Sequence, residues 1–272
     1  MDHAKVLRLF DQDMREGARP DGPGVRVERV GPVVRRIGTE QGWNGVLWSS
    51  LDAAGADAAI AEQTRYFTGL GRSFEWKLYG HDGPADLGRR LLAAGFTAEP
   101  EETVMVAEPA GTGGPGGLTD PALDAARPDG VRIVPVTDPA GVDLVADVHE
   151  RAFGTDSTRL RHDLLAGLSG DAGTAGDVVA VVALAGTEPV SAARMELLPG
   201  TRFAGLWGGG TVEGWRGRGI YRALVAHRAR IAAERGYPYL QVDASDMSRP
   251  ILARLGFEPL TTTTPYVYEP TV

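Results

Sequence analysis

Cysteine is missing altogether from the 272 residues, which excludes disulfides, thiolate metal sites and any reaction through a cysteine-bound covalent intermediate. No apolar stretch approaches the roughly 20 residues that a membrane-spanning helix needs. The start, Met1 to Lys5, opens into a helical pattern without the basic segment and apolar run of a secretion signal. A soluble, cytoplasmic protein is the expectation. Positive charge is also short: 28 Lys and Arg against 36 Asp and Glu leave a formal charge of -8. That balance disfavours unspecific nucleic-acid binding, which depends on Lys and Arg, and is compatible with a cationic small-molecule partner. The Gly-Lys-Ser/Thr triplet of a nucleotide hydrolase is absent. His81, His149, His162 and His227 lack paired metal-ligand spacing, so no metal is expected and each reads as an ordinary surface or core histidine.

Glycine and proline, by contrast, crowd the stretch from Glu108 to Gly117, where no apolar periodicity survives. Such a stretch reads as a flexible connection and divides the chain into 1–110, a linker at 111–130, and 131–272. In the second half Val131 to Val136 alternates as a strand, while Asp143–Phe153 and Leu160–Leu168 have helical spacing. Three strands follow, at Asp177–Ala185, Val190–Leu197 and Ala204–Val212. A long helix then starts near Tyr221 and ends at Gly236 and Pro238. Tyr239–Val242 is a strand, Pro250–Leu255 a short helix ended by Gly256, and Val267-Tyr268 belongs to a last strand. The class is α/β with a mixed sheet.

The first half repeats part of this order. Leu91 to Phe96 resembles Leu252 to Phe257, and Gly95 to Glu108 and Gly256 to Glu269 both span 13 positions. Phe74–Tyr79 would match the strand at 240–243, and Ala58–Leu70 the long helix, so the ordered set points to a duplication. Trp43, Trp48, Phe74, Trp76 and Tyr79 read mainly as core of this half, with a groove lined by Trp76, Tyr79 or His81 as the functional alternative.

The segment Val212 to Leu224 passes from a strand through a basic, glycine-rich turn, Arg216-Gly217-Arg218-Gly219, into the long helix. N–H groups at a helix start have no intrahelical acceptor and sit at the positive end of its dipole, so they suit a phosphate. Gly217 and Gly219 allow close approach, and Arg216, Arg218 and Arg222 add charge. A dinucleotide-binding fold is disfavoured, because the turn follows three consecutive strands instead of opening a repeating strand-helix-strand unit. Gly208-Gly209-Gly210 weakens the preceding strand and implies either a bulge or room for an acyl group or substrate.

Together, Arg216 to Tyr221, the long helix, the strand to Val242 and the helix end at Gly256-Phe257 resemble the GCN5-related N-acetyltransferase (GNAT) family over about 131–272. The resemblance implies two GNAT-like domains in tandem, the C-terminal one complete and the N-terminal one degenerate. It implies acetyl-CoA as acyl donor, and direct transfer to a primary amine of a small molecule or peptide. By position, Gly210, Thr211 and Val212 would meet the pantetheine arm, and Arg216, Gly217, Arg218, Gly219, Ile220, Tyr221 and Arg222 the diphosphate. Tyr221 departs from the small residue usual there and must point away from the cradle or rest against the cofactor.

Where many relatives carry a general-acid tyrosine this chain has Leu252, and Ser245 stands at the place of a common asparagine. Asp243, Ser245 and Ser248 remain as candidate catalytic groups, Asp243 as a base, against a reading in which Asp243, Ser245 and Asp246 cap the next helix. Glu196 and Glu213 are expected on solvated faces. A protein that binds an acyl-CoA without catalysis is the alternative, and the chain is expected to be a monomer or homodimer.

Overall fold

The computed structural model describes residues 1–40, 42–109, 117–125, 127–169 and 177–270, and divides the chain into two compact units: Met1–Val104 with Pro259–Val272, and Met105–Glu258. No helix among the described residues is long and apolar enough to cross a membrane.

Unit 1 begins with α1 (His3–Phe10), extended by a π-helical turn at Asp11–Glu16. Strands β1 (Arg26–Val30), β2 (Val33–Ile37) and β3 (Gly45–Ser49) form an antiparallel meander. Helix α2 (Ala56–Gly69) then carries the chain to β4 (Phe74–Tyr79), parallel to β3. After α3 (Leu87–Ala93) and the short β5 (Thr97–Ala98), the sheet is completed by β12 (Glu258–Tyr268), which runs antiparallel to β4 from Thr263↔Tyr79 to Tyr268↔Phe74. The core gathers Ile60, Phe67, Phe74, Trp76, Leu91 and Phe96, with Tyr266 and Tyr268 of β12 packed against it. Trp76 is wholly buried, so it is core and does not line a groove.

Unit 2 holds the second half of β6 (Glu102–Ala107), then α4 (Pro121–Ala125), β7 (Val131–Pro135), α5 (Pro139–Phe153), α6 (Thr158–Ser169) and the strands β8 (Asp177–Ala185), β9 (Glu188–Leu197) and β10 (Phe203–Thr211). Helix α7 (Ile220–Glu234), β11 (Tyr239–Ala244) and α8 (Arg249–Arg254) follow, and the strand order is β6-β11-β10-β9-β8-β7. Helix α5 shows why these boundaries hold: the Asp138 carboxylate accepts from Gly141 N at 2.8 Å, Pro139 opens the helix, and Gly154 at φ +71° ends it.

The division therefore differs from the one expected at 110 and 131. The last strand, much longer than Val267-Tyr268, belongs to unit 1, and residues from Met105 belong to unit 2. Part of the expected linker is also ordered: α4 lies in it, and Leu118 is fully buried in the unit 2 core. The richest stretch of the linker, 110–116, lies outside the described residues. Composition could not show where the last strands go, because strand pairing is a long-range choice.

The two helix ends likened in sequence are bonded alike. Leu91 and Leu252 are wholly buried, and Phe96 N and Phe257 N donate to Leu91 O and Leu252 O, both at 3.1 Å. Between them Gly95 and Gly256 take φ of +93° and +89°.

Beneath α1, Arg15 is almost fully buried. It holds both oxygens of Asp82 at 2.7 Å, Asp11 Oδ1 at 2.6 Å and Leu47 O at 3.2 Å, and it stacks on Tyr79 at 3.8 Å. Asp82→Ala takes the nearer carboxylate from this buried cation and is expected to cost about 3 kcal/mol or more, whereas Arg15→Met combined with Asp82→Leu costs less because both buried charges go. Urea midpoints of the two variants check the order. Burial pushes the Asp11 carboxyl up, but hydrogen bonds from His81 and Arg15 outweigh it and hold it below its usual range. Its folded-state pKa is therefore depressed, so this stabilisation is complete above the ordinary carboxylate pKa and is lost as pH falls through the depressed one.

Candidate functional site

Strand β10 is paired with β9 throughout but with β11 only from Phe203↔Tyr239 to Gly205↔Gln241. Beyond Gly205 no strand among the described residues pairs with its other edge, through Leu206 to Thr211, so an extended ligand has a row of backbone groups to pair with. Within this stretch the register on β9 shifts from Trp207↔Arg194 to Gly210↔Ala192, so Gly208 and Gly209 together oppose Ala193. Gly208 takes φ +58°, the left-handed conformation that opens a bulge of this type and that a Cβ would strain.

The glycine triplet is thus a bulge, and the space beside its other two members is filled by rings. A Cβ at Gly209 would lie 2.8 Å from Tyr221 Cε2, and one at Gly210 would lie 2.7 Å from Phe153 Cε2. Tyr221 accordingly points away from the basic turn and packs against the core of unit 2. Burial pushes its phenol up, partly offset by Arg228. Gly209→Ala is expected to destabilise unit 2 by about 1–3 kcal/mol through this collision, and Tyr221→Ala in the same chain should relieve the clash. A thermal-melt double-mutant cycle reads the coupling.

Sequence reasoning missed two further groups that fix this strand. Ser191, fully buried, donates to Gly210 O at 2.6 Å and meets Thr211 Oγ1 at 2.8 Å. Arg228 of α7 donates to Leu224 O at 3.1 Å and Arg194 O at 2.7 Å; burial pushes its guanidinium down to about 10. The available signal for Arg228 was its position one turn after Leu224 on the buried stripe.

From Thr211 the chain passes through Val212, which donates to Val190 O at 3.0 Å, and a 3-10 turn at Glu213–Trp215. It then enters the exposed turn at Arg216–Arg218 and reaches Gly219, the N-cap of α7 at φ +83°. The first helical bond runs from Ala223 N to Gly219 O, so the N–H groups of Ile220, Tyr221 and Arg222 have no acceptor one turn back. No side chain caps this end, and no acidic residue stands in its first turn. Such an end suits an anion by geometry and charge.

The three arginines are not equivalent. Arg216 is tied to Thr211 O and Ala152 O, both at 3.0 Å, and so braces the turn. Arg218 lies over the Trp215 ring at 4.8 Å, while Arg222 is exposed, with no ion pair among the described residues. Glu213 is exposed as expected, and Glu196 is half-buried with Arg194 Nε at 3.5 Å. In unit 1 the start of α2 is already served by Asp52, whose carboxylate accepts from Ala54 N at 3.1 Å and Gly55 N at 2.7 Å.

Asp243 lies on β11 two residues beyond its last pair with β10 and accepts from Gln241 Nε2 at 2.9 Å. Ser245 and Ser248 face each other at 3.3 Å in the turn into α8, where Ser248 N approaches Ser245 Oγ at 3.4 Å. Asp246 is exposed, 3.6 Å from Arg249. Leu252 is wholly buried among apolar side chains. In unit 1, Tyr79, His81, Asp82, Glu101, Thr262 and Thr264 contribute to a cavity of about 360 Å³.

No protein-family model matches the sequence, and no curated protein matches it. Solved structures do. A GCN5-related N-acetyltransferase from Kribbella flavida superposes with a TM-score of 0.66 at 18% identity, covering 99% of this chain and 95% of its own. A tandem GNAT protein from the clavulanic acid biosynthesis pathway covers 99% of this chain and 95% of its own, with a TM-score of 0.61 at 14% identity. A putative GNAT acetyltransferase from Novosphingobium aromaticivorans gives 0.54 at 17% identity, covering 90% and 92%. At such identities the likeness is one of backbone, and it extends through both units: the chain has the fold of the GCN5-related N-acetyltransferases.

Proposed function

We propose that unit 2 is an acyl-CoA-dependent N-acyltransferase with acetyl-CoA as its donor and a primary amine of a small molecule or peptide as acceptor. One observation carries the reading: the open edge of β10 leads without interruption to the uncapped, base-rich start of α7. The diphosphate would rest on the N–H groups from Gly219 to Arg222, with Arg218 and Arg222 adding charge and Arg216 holding the turn. The pantetheine arm would run back along Val212, Thr211 and Gly210 as an added strand. Pantoate, β-alanine and cysteamine units in series match roughly four residues of extended chain, about 13 Å at the rise of a strand. Counted back from Val212, that length brings the thioester beside Gly208, at the bulge.

The donor supplies an activated acyl group with a thiolate leaving group, so positioning and N–H groups around the developing oxyanion account for much of the acceleration. Asp243, near the open end of β11, is a candidate to relay a proton, and Ser245 and Ser248 fit the turn-forming role their mutual contacts describe. Calorimetric titration with acetyl-CoA is the test: binding is expected, and its absence would overturn the reading. A second reading, acyl-CoA binding without turnover, draws on the wholly buried Leu252 where relatives carry an acid. A single acylated amine detected by mass spectrometry would exclude it.

A further inference from the structure

We propose that His149 is the group that takes the proton from the acceptor ammonium, with Thr155 holding the imidazole in the tautomer this requires. The inference rests on the acyl-transfer reading of unit 2. His149 lies on the last turns of α5 and, with Val148, Leu160, Arg194 and Gly208, walls a small cavity on the face of β10 opposite Tyr221 and α7. Gly208 is the bulge residue beside which the thioester falls, so an amine attacking that carbonyl from the α5 face meets His149.

The ring is set for the task. Its Nε2 is 3.1 Å from Thr155 Oγ1, and the imidazole packs on Phe153 with centroids 5.0 Å apart. Its other nitrogen, Nδ1, is buried and has no hydrogen-bond partner among the described residues. A buried polar atom left unpaired is costly, and its natural partner is a ligand that donates a hydrogen bond. With Nε2–H donating to Thr155, Nδ1 presents a lone pair to that ligand.

The groups facing the ring are Arg194 from β9 and Glu150 from α5 itself, while α6 and β10 present Leu160 and Gly208. Burial, and after it Arg194, push the imidazole below the ordinary histidine range, with Glu150 pulling the other way. Burial and Arg194 thus favour the neutral ring, the form able to accept a proton. The balance of the step is simple. Nδ1 takes one proton from the ammonium, directly or through one water, and the free amine attacks the thioester carbon. As the C–S bond breaks, the nitrogen's second proton ends on the thiolate to give CoA thiol, and His149 returns its proton to solvent.

Two measurements on the full chain decide the matter. Nitrogen-15 NMR of labelled histidines, with acetyl-CoA bound, is expected to show His149 neutral at pH 7 and protonated on Nε2; an imidazolium or the Nδ1–H form would overturn the assignment. In parallel, CoA release is followed with benzylamine, an ammonium at pH 7, and with hydroxylamine, already unprotonated there. His149→Gln is expected to lose about 100-fold with benzylamine and to change little with hydroxylamine, at unchanged acetyl-CoA affinity. Equal losses with both nucleophiles, or no loss with either, would overturn it, as would a native chain that binds acetyl-CoA but shows no amine-dependent release. Failure of the native chain to bind acetyl-CoA at all would instead sink the reading of the cradle.

Discussion

Replacing Gly219 by Asp is expected to weaken acetyl-CoA binding by at least about 100-fold while leaving unit 2 folded. Gly219 is the N-cap of α7 at φ +83°, so any side chain there carries a left-handed penalty of roughly 1–2 kcal/mol, smallest for Asp and Asn. An Asp carboxylate partly repays this by capping the N–H groups that now stand uncapped. It would do so from the place proposed for the diphosphate, much as the Asp52 carboxylate accepts from Gly55 N ahead of α2. Losing even two charge-assisted hydrogen bonds of about 1.5–3 kcal/mol each removes at least 3 kcal/mol, and tenfold in affinity is about 1.4 kcal/mol. Arg222→Ala, which takes away only an exposed charge, should cost about tenfold or less. Calorimetry of both variants beside a thermal melt separates site from fold. An unchanged affinity in Gly219→Asp would mean that the turn is structural and that any cofactor lies elsewhere.

A chain ended after Glu258 is expected to lose unit 1, although every residue removed is far in sequence from the rest of that unit. Six cross-strand pairs between β4 and β12 disappear, and Phe74 and Phe96 lose the Tyr268 ring at 5.8 and 5.2 Å. His81 also loses Thr261, which meets its Nδ1 at 3.1 Å. A small sheet that loses a strand flanking β4 and two core tyrosines gives up on the order of 5 kcal/mol, comparable to the whole stability of such a unit. Hydrogen exchange should show protection vanishing in β3 and β4 while β8 and β9 retain it. Equal protection of β4 in the shortened and full chains would mean that β12 does not complete this sheet in solution.

The likeness between the two halves was readable because it rests on local signals. Helix ends at Gly95 and Gly256, the spacing to each following Glu-Pro and the strand at Phe74–Tyr79 depend on residues a few positions apart, and the structure bonds both helix ends alike. The basic turn was readable for the same reason: its glycines and arginines are consecutive, and a helix start offers its N–H groups whatever packs beyond it. The last strands were not readable in this way. The strand after Gly95 passes into unit 2 and the strand after Gly256 into unit 1, and either pairing would satisfy the same alternation of apolar residues.

What the sequence by itself determined was the class of fold, the bulge-or-room alternative at Gly208 to Gly210, and the basic, glycine-rich turn proposed to hold phosphate, with its departure at Tyr221. Only the tertiary structure decided that the room beside Gly209 belongs to the Tyr221 ring, that Arg228 lies buried under the bulge, and that His149 has an unpartnered nitrogen near Gly208. The physical reason is separation along the chain. His149 and Gly208 stand on elements 59 residues apart, and no periodicity records which buried atoms will meet across a sheet.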